Sequence, residues 1–186
     1  MSTPDAAFYF DLASPIAYLA AERVLQTLPI RAEWQPVLAR ELSGEKSFDR
    51  TEIERAAREQ NLQPLKWPDP FPFDSALAMR VATYAKSIGR TVPFVQAAFR
   101  QAYAGGRSLE DPDFVVIAAA ACEMHPAAVL KGAELRSVKA QLSSTTAHAA
   151  QEGVTGVPAV RIGAKIFVGT RAVEEAAGHA ATVGTG

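Results

Sequence analysis

Ser14 and Pro15 stand inside FYFDLASPIAYLAAERVLQ, residues 8–26, at a point where a reactive group can be placed to effect. Serine is a preferred helix N-cap and proline a preferred first helical residue. The hydroxyl therefore falls at a strand-to-helix corner, among unpaired N–H groups at the positive end of a helix dipole. Such a corner stabilises an anion, whether a thiolate, a carboxylate or a phosphate. The same spacing also suits a serine that does no more than cap its helix. A second candidate is Val157-Pro158, within GVTGVPAVRIGAKIFVGTRAVEEA, residues 153–176. Proline cannot donate to a sheet ladder and belongs at the start or edge of a strand. A cis bond there would leave the backbone of Val157 free to pair with an extended ligand, and the sequence alone does not show the isomer. Thr170 reads as the cap of a closing helix, with Arg171 beside it.

Other residues admit two readings. Asp11, three positions before Ser14, orients that loop or caps it. Trp67, Phe71 and Phe73, with Tyr18, wall an apolar substrate pocket or form a packing seam. Arg80 anchors an anionic substrate or solvates a helix face. Lys46 and Lys66 are ordinary solvated lysines or contacts for a ligand carboxylate. His125, His148 and His179 lie too far apart for metal-ligand spacing, so no metal is expected. Cys122, the sole cysteine, sits in the apolar run VVIAAAACEM and reads as a small core residue. One cysteine cannot form an intramolecular disulfide and suits a reducing compartment, so a cytoplasmic protein is expected.

The elements that must carry these residues follow from periodicity. Residues 8–10, 14–28 and 31–37 read as strand, helix and strand. Residues 134–151 read as a helix, 159–162 and 165–168 as a hairpin turning at Gly163-Ala164, and 171–179 as a final helix. The intervening pattern is helical at 51–60, 75–87, 93–104 and 112–123, with a short turn at 126–130. Residues 61–74, rich in proline and aromatics, must be extended. The resulting expectation is an α/β chain whose discontinuous domain, 1–38 and 134–186, carries an all-helical insertion over 39–133.

At 186 residues the chain is long enough for one substantial core. A formal net charge of −1 argues against a nucleic-acid or anionic-membrane surface. No apolar run reaches membrane-spanning length, and MSTPDAAFYF lacks the basic and apolar regions of a secretory signal. The closing ATVGTG reads as a loose tail.

Three motifs together carry a resemblance: FYFDLASPIAYLA, PDPFPFDSALAMR at 68–80, and GVTGVP followed by FVGT. The chain resembles the thioredoxin fold of the DsbA-like superfamily, and in particular its glutathione-dependent branch. That branch comprises the 2-hydroxychromene-2-carboxylate isomerases and kappa-class glutathione transferases. Redox members of the superfamily carry Cys-Pro-x-Cys where this chain has Ser14, Pro15, Ile16 and Ala17. Disulfide exchange needs a thiolate and a resolving thiol, so thiol–disulfide chemistry is excluded.

The resemblance implies that Ser14 is catalytic and donates a hydrogen bond to the thiolate of glutathione, the cofactor. It implies that Val157 and Pro158 hold the peptide part of glutathione, and that Thr170 helps bind its γ-glutamyl end. It also implies an isomerase of aromatic breakdown products, or a kappa-like transferase retaining the adduct, and often a homodimer. One departure stands out. The family commonly places an aspartate after G-S/N to pair with the γ-glutamyl ammonium, whereas this chain reads Gly169-Thr170-Arg171-Ala172. Arg171 therefore favours an acidic group on a different thiol or ligand, and a non-catalytic binding protein of the same fold is the alternative from another class.

Overall fold

The computed structural model describes residues 5–183, built around one four-stranded mixed sheet in the order β2-β1-β3-β4. The strands are β1 (Ala6–Phe10), β2 (Glu33–Pro36), β3 (Ala159–Ile162) and β4 (Lys165–Val168). β2 runs parallel to β1, while β3 is antiparallel to both β1 and β4. All five residues of β1 are buried, as a strand covered on both faces requires. The two-residue period divides them: Phe8 and Phe10 enter the larger core, while Ala7 and Tyr9 enter a smaller one with Val37, Leu42 and Ala149. β2 is shorter than the expected 31–37. Pro36 has no N–H for the ladder, and it ends this edge strand opposite Phe10.

The expected single helix over 14–28 is two helices, α1 (Pro15–Ala21) and α2 (Val24–Thr27). The interruption coincides with Arg23, whose guanidinium reaches the Thr170 carbonyl at 2.9 Å and Glu174 at 3.1 Å. The segment after β2 passes through a 3-10 turn, Ala39–Glu41, into α3 (Arg50–Glu59), capped by Asp49. The chain over 61–74 is non-helical as expected but irregular rather than extended, with bends at 70–72; α4 (Ala76–Ser87), α5 (Thr91–Tyr103) and α6 (Pro112–Ala120) follow. Asp111 caps α6 by accepting from Asp113 N at 2.9 Å. Cys122 is buried beyond the end of α6, and burial pushes its thiol up.

The short turn expected at 126–130 is instead a helix, α7 (Pro126–Glu134). His125 caps it through Nδ1, which accepts from Ala127 N at 3.3 Å. Gly132 argues against a helix by propensity, yet it is buried against the Tyr84 ring on α4. A Cβ there would lie 2.4 Å from Tyr84 Cδ2, so close packing overrides the propensity. α8 (Arg136–Glu152) ends at Gly153, whose φ of 102° suits a glycine C-cap. α9 (Ala172–Val183) starts one residue later than expected and extends further, taking in 181–183 of the expected tail. The remainder of that tail, 184–186, lies outside the described residues.

The helices between β2 and α8 share the main core with the sheet. Phe10 on β1 meets Phe99 on α5 with ring centroids 6.3 Å apart, and Phe8 meets Trp34 at 4.9 Å. Val81, Val95 and Phe99 are fully buried in the same cluster as Phe8 and Phe10. Among the described residues no helix is long and apolar enough to cross a membrane.

Candidate functional site

The turn that presents Ser14 is fixed by local bonds and by two helices of the central segment. Ser14 N donates to Asp11 O at 3.0 Å, and Ala13 N donates to Asp11 Oδ1 at 2.9 Å. Leu12, fully buried, has its N–H on Met79 Sδ of α4 at 3.3 Å and its carbonyl on the Tyr103 hydroxyl of α5 at 3.2 Å. Ser14 then caps α1: its Oγ accepts from Ala17 N at 3.1 Å. That bond uses an oxygen lone pair and leaves the hydroxyl proton free to donate. Capping and donation are therefore compatible roles for one side chain. α1 runs for only seven residues, and with Pro15 lacking an N–H and Ala17 N taken by Ser14, the Ile16 N–H is the first-turn donor left to set the local field.

Half-buried Ser14 opens onto a cavity of about 250 Å³. Its other walls are the loop Gly44–Phe48, the segment Phe71–Ser75, and Thr155–Val157. The Val157-Pro158 bond is cis. No hydrogen bond among the described residues involves the backbone N–H or C=O of Val157, which leaves both available to a ligand in the cavity. The loop before it is clasped from across the cavity, because Gly44 N donates to Thr155 O at 2.6 Å. A Cβ at Gly44 would lie 2.5 Å from that oxygen, so only glycine permits the approach.

Phe48, Phe71 and Phe73 supply an aromatic side to the cavity. Trp67 stands behind them, parallel to Phe48 at 5.8 Å and tilted on Phe71 at 5.2 Å. Its indole Nε1 donates to Glu54 at 2.7 Å, and the Arg50 guanidinium lies over its ring at 4.8 Å. Charges gather at the rim. Arg40 pairs with Asp74 at 2.9 Å, and Lys46 Nζ donates to the Leu42 and Gly44 carbonyls at 2.8 and 3.1 Å. Asp11, 3% exposed, lies at the base, and burial raises its carboxyl above the ordinary range against the opposing pull of two backbone N–H groups.

Ser14, Val157 and Phe71 thus come together on one cavity, with Pro158 buried next to Val157 and Trp67 supporting Phe71. Four expected site residues lie elsewhere. Tyr18 packs against α5, stacked on Tyr103 at 5.4 Å, and borders a separate groove with Glu22 and Arg100. Arg80 ties α4 to α7 through the Ala133 carbonyl at 3.1 Å and Glu134 at 2.9 Å. Thr170 and Arg171 are exposed ahead of α9, outside the cavity lining, and the Thr170 carbonyl is held by Arg23. The wall contributed by Gly44 and Phe48 was missed. Its one sequence signal is a glycine in a polar stretch, which does not reveal a partner at Thr155. Among the described residues, no three His, Cys, Asp or Glu side chains are grouped to hold a metal.

The sequence matches the DSBA-like thioredoxin domain family over residues 7–181. No curated protein matches the chain by sequence. Among solved structures, a 2-hydroxychromene-2-carboxylate isomerase superposes with a TM-score of 0.82 at 17% identity, covering 97% of each chain. A probable DsbA oxidoreductase from Streptomyces coelicolor gives 0.76 at 18% identity, covering 98% of this chain and 90% of its own. The cytosolic disulfide reductase DsbM from Pseudomonas aeruginosa, solved with GSH, gives 0.68 at 14%, covering 97% and 98%. At such identities the likeness concerns the fold alone.

Proposed function

Because this chain belongs to the DSBA-like thioredoxin family, with serine and alanine where redox members carry cysteines, we propose that it is a glutathione-dependent cis-trans isomerase of the 2-hydroxychromene-2-carboxylate type. The observation that carries this reading is the Ser14 hydroxyl, capped through its lone pair with its proton free, on a cavity shared with the unpaired backbone of Val157.

The residues present fit glutathione at two points. The N–H and C=O of Val157 would hold its peptide backbone as an added strand does, and Ser14 would donate to its sulfur. Bound glutathione supplies a nucleophilic sulfur able to add reversibly to a conjugated double bond. Ser14 would hold negative charge on that sulfur by a charge-assisted hydrogen bond. The Ile16 N–H, left free in the first turn of α1 because Pro15 has none and Ala17 N is taken by Ser14, would add to the same field. Phe48, Phe71 and Phe73 exclude water and offer ring faces to a planar aromatic substrate. Arg40 and Lys46 at the rim attract an acidic one. A kappa-like transferase would use the same residues, and the two differ in whether the adduct is released or returned.

Calorimetric titration compares reduced glutathione with its sulfur-free analogue, in which 2-aminobutyrate replaces cysteine. A hydrogen bond to a charged group is worth roughly 1.5–3 kcal/mol. The wild type should therefore prefer glutathione by about ten- to a hundredfold once the sulfur is ionised, and Ser14→Ala should erase that preference. Equal affinity for the two ligands in the wild type would sink the mechanism.

A further inference from the structure

Asp11 follows β1 at the base of the cavity, and its two carboxyl oxygens serve different parts of the chain. Oδ1 accepts from Ala13 N at 2.9 Å and shapes the turn into Ser14. Oδ2 accepts from Ala39 N at 2.8 Å, at the start of the 3-10 turn that leads through Arg40 to the Gly44–Phe48 wall. From a third side, the Ser75 hydroxyl at the head of α4 faces the same group and favours its charged form. We infer that Asp11 is a positioning residue whose carboxylate grips the serine turn and the 39–48 segment together, and so couples ligand capture to the ionisation of one buried group. The inference rests on the cavity being the glutathione site proposed above.

The surroundings define the pH response. Arg40, from the 3-10 turn, is the cation that favours the charged form, and part of its charge is taken by Asp74. From α5, Tyr103 faces the site as a neutral phenol, its ionisation pushed further up by burial and by Asp11 itself. From the head of α4 come the Ser75 hydroxyl and the Met79 sulfur, which accepts from the N–H of Leu12, one residue along from Asp11. Burial outweighs these contacts and keeps the Asp11 carboxyl above the usual carboxylate range. A carboxyl with a raised folded value contributes stability that is full at low pH and lost as pH rises through that value. Acidification through this window thus favours the fold, as far as Asp11 is concerned. It also turns one acceptor oxygen into a hydroxyl facing an N–H donor. Stability and ligand capture should move in opposite directions, whereas a residue that only supported the fold would move both together.

Amide NMR of the wild-type protein, titrated downward from pH 8 with and without reduced glutathione, is the test. The Ala13 and Ala39 amides should shift with one shared midpoint above about 4, the unperturbed carboxylate value. Glutathione affinity should fall across that midpoint by about tenfold or more, the worth of one hydrogen bond to a charged group. Asp11→Asn, whose amide N–H₂ must oppose one of the two backbone donors, should bind weakly at every pH without that acid limb. Two amides that titrate independently or remain fixed until unfolding, or an affinity flat with pH in the wild type, would overturn the inference. A wild type that binds no glutathione at any pH defeats the proposed function instead. The amide titration, with hydrogen exchange over 39–48, then decides on the positioning role alone.

Discussion

Replacing Gly44 by alanine should open the cavity from its far side. The added Cβ would stand 2.5 Å from the Thr155 carbonyl oxygen and 3.1 Å from its carbon. Both atoms are backbone, so no side-chain rotamer relieves the clash. A carbon and a carbonyl oxygen approach no closer than about 3.3 Å, so the two loops must part by about 0.8 Å. The Gly44 N to Thr155 O bond, now 2.6 Å, would stretch to about 3.4 Å, outside hydrogen-bond range. Losing it costs about 0.5–1.5 kcal/mol, and residual crowding adds about 1–3 kcal/mol. Urea unfolding should therefore show a loss of about 1.5–4.5 kcal/mol. Hydrogen exchange of the residue 44 amide, the donor of that bond, should quicken. Displacement of a binding wall by nearly an ångström should also lower glutathione affinity. Gly178→Ala is the control, because nothing lies within 4 Å of its added Cβ on α9. It should leave affinity intact and hold or raise stability by up to about 1 kcal/mol. If Gly44→Ala kept wild-type stability and unchanged exchange at the residue 44 amide, the two walls would not be locked as described.

Arg80→Ala should leave glutathione affinity unchanged while lowering the unfolding midpoint, because that side chain joins α4 to the Ala133 carbonyl of α7 rather than facing the cavity. Paired calorimetry and thermal melts check this, and a selective loss of binding would return Arg80 to the site. Tyr18 is pushed up to about 12 by burial, with Glu22 adding to the shift. A phenol with a raised folded value contributes stability that is complete below its unfolded value near 10 and lost as pH rises through about 12. Stability should decline across pH 10–12, and Tyr18→Phe should flatten that decline without altering glutathione binding at neutral pH. Phenolate absorbance near 295 nm followed through the same range reports whether Tyr18 ionises late.

Local chemistry made much of this readable in advance. The Ser14-Pro15 start of α1, the Asp111 cap of α6 and the Gly163-Ala164 hairpin each depend on residues only a few positions apart. What depends on distant partners stayed hidden. α7 contains a glycine that propensity reads as a breaker, and only the Tyr84 ring explains why it is helical. The break after Ala21 coincides with Arg23 reaching residues about 150 positions later, at Thr170 and Glu174. At the candidate site, the motif residues Ser14 and Val157 are brought to one cavity. Side-chain direction, however, separated Tyr18 from Ser14 although they lie one helical turn apart. The Gly44–Thr155 clasp joins segments with nothing in common but their meeting point.

The aromatic contacts that run from Phe8 and Phe10 through Phe99 and Tyr103 to Phe71 carry a kinematic consequence. A ligand site between two bodies usually opens by a hinge. Here the sheet and the central helices are joined through one continuous close-packed interior, and such interiors shift between discrete packings rather than flexing. Prising the helices from the sheet would expose Phe99 and Val95 to water, at about 1.5–3 kcal/mol for each large side chain. The Gly44–Phe48 loop, by contrast, carries exposed residues at Glu45, Lys46 and Ser47 and is fastened to the facing wall by a single backbone bond. If the cavity holds a ligand as proposed, entry and exit would belong to that short loop moving over a fixed frame, and the ligand's lifetime would be a property of one hydrogen bond and one stacked phenylalanine.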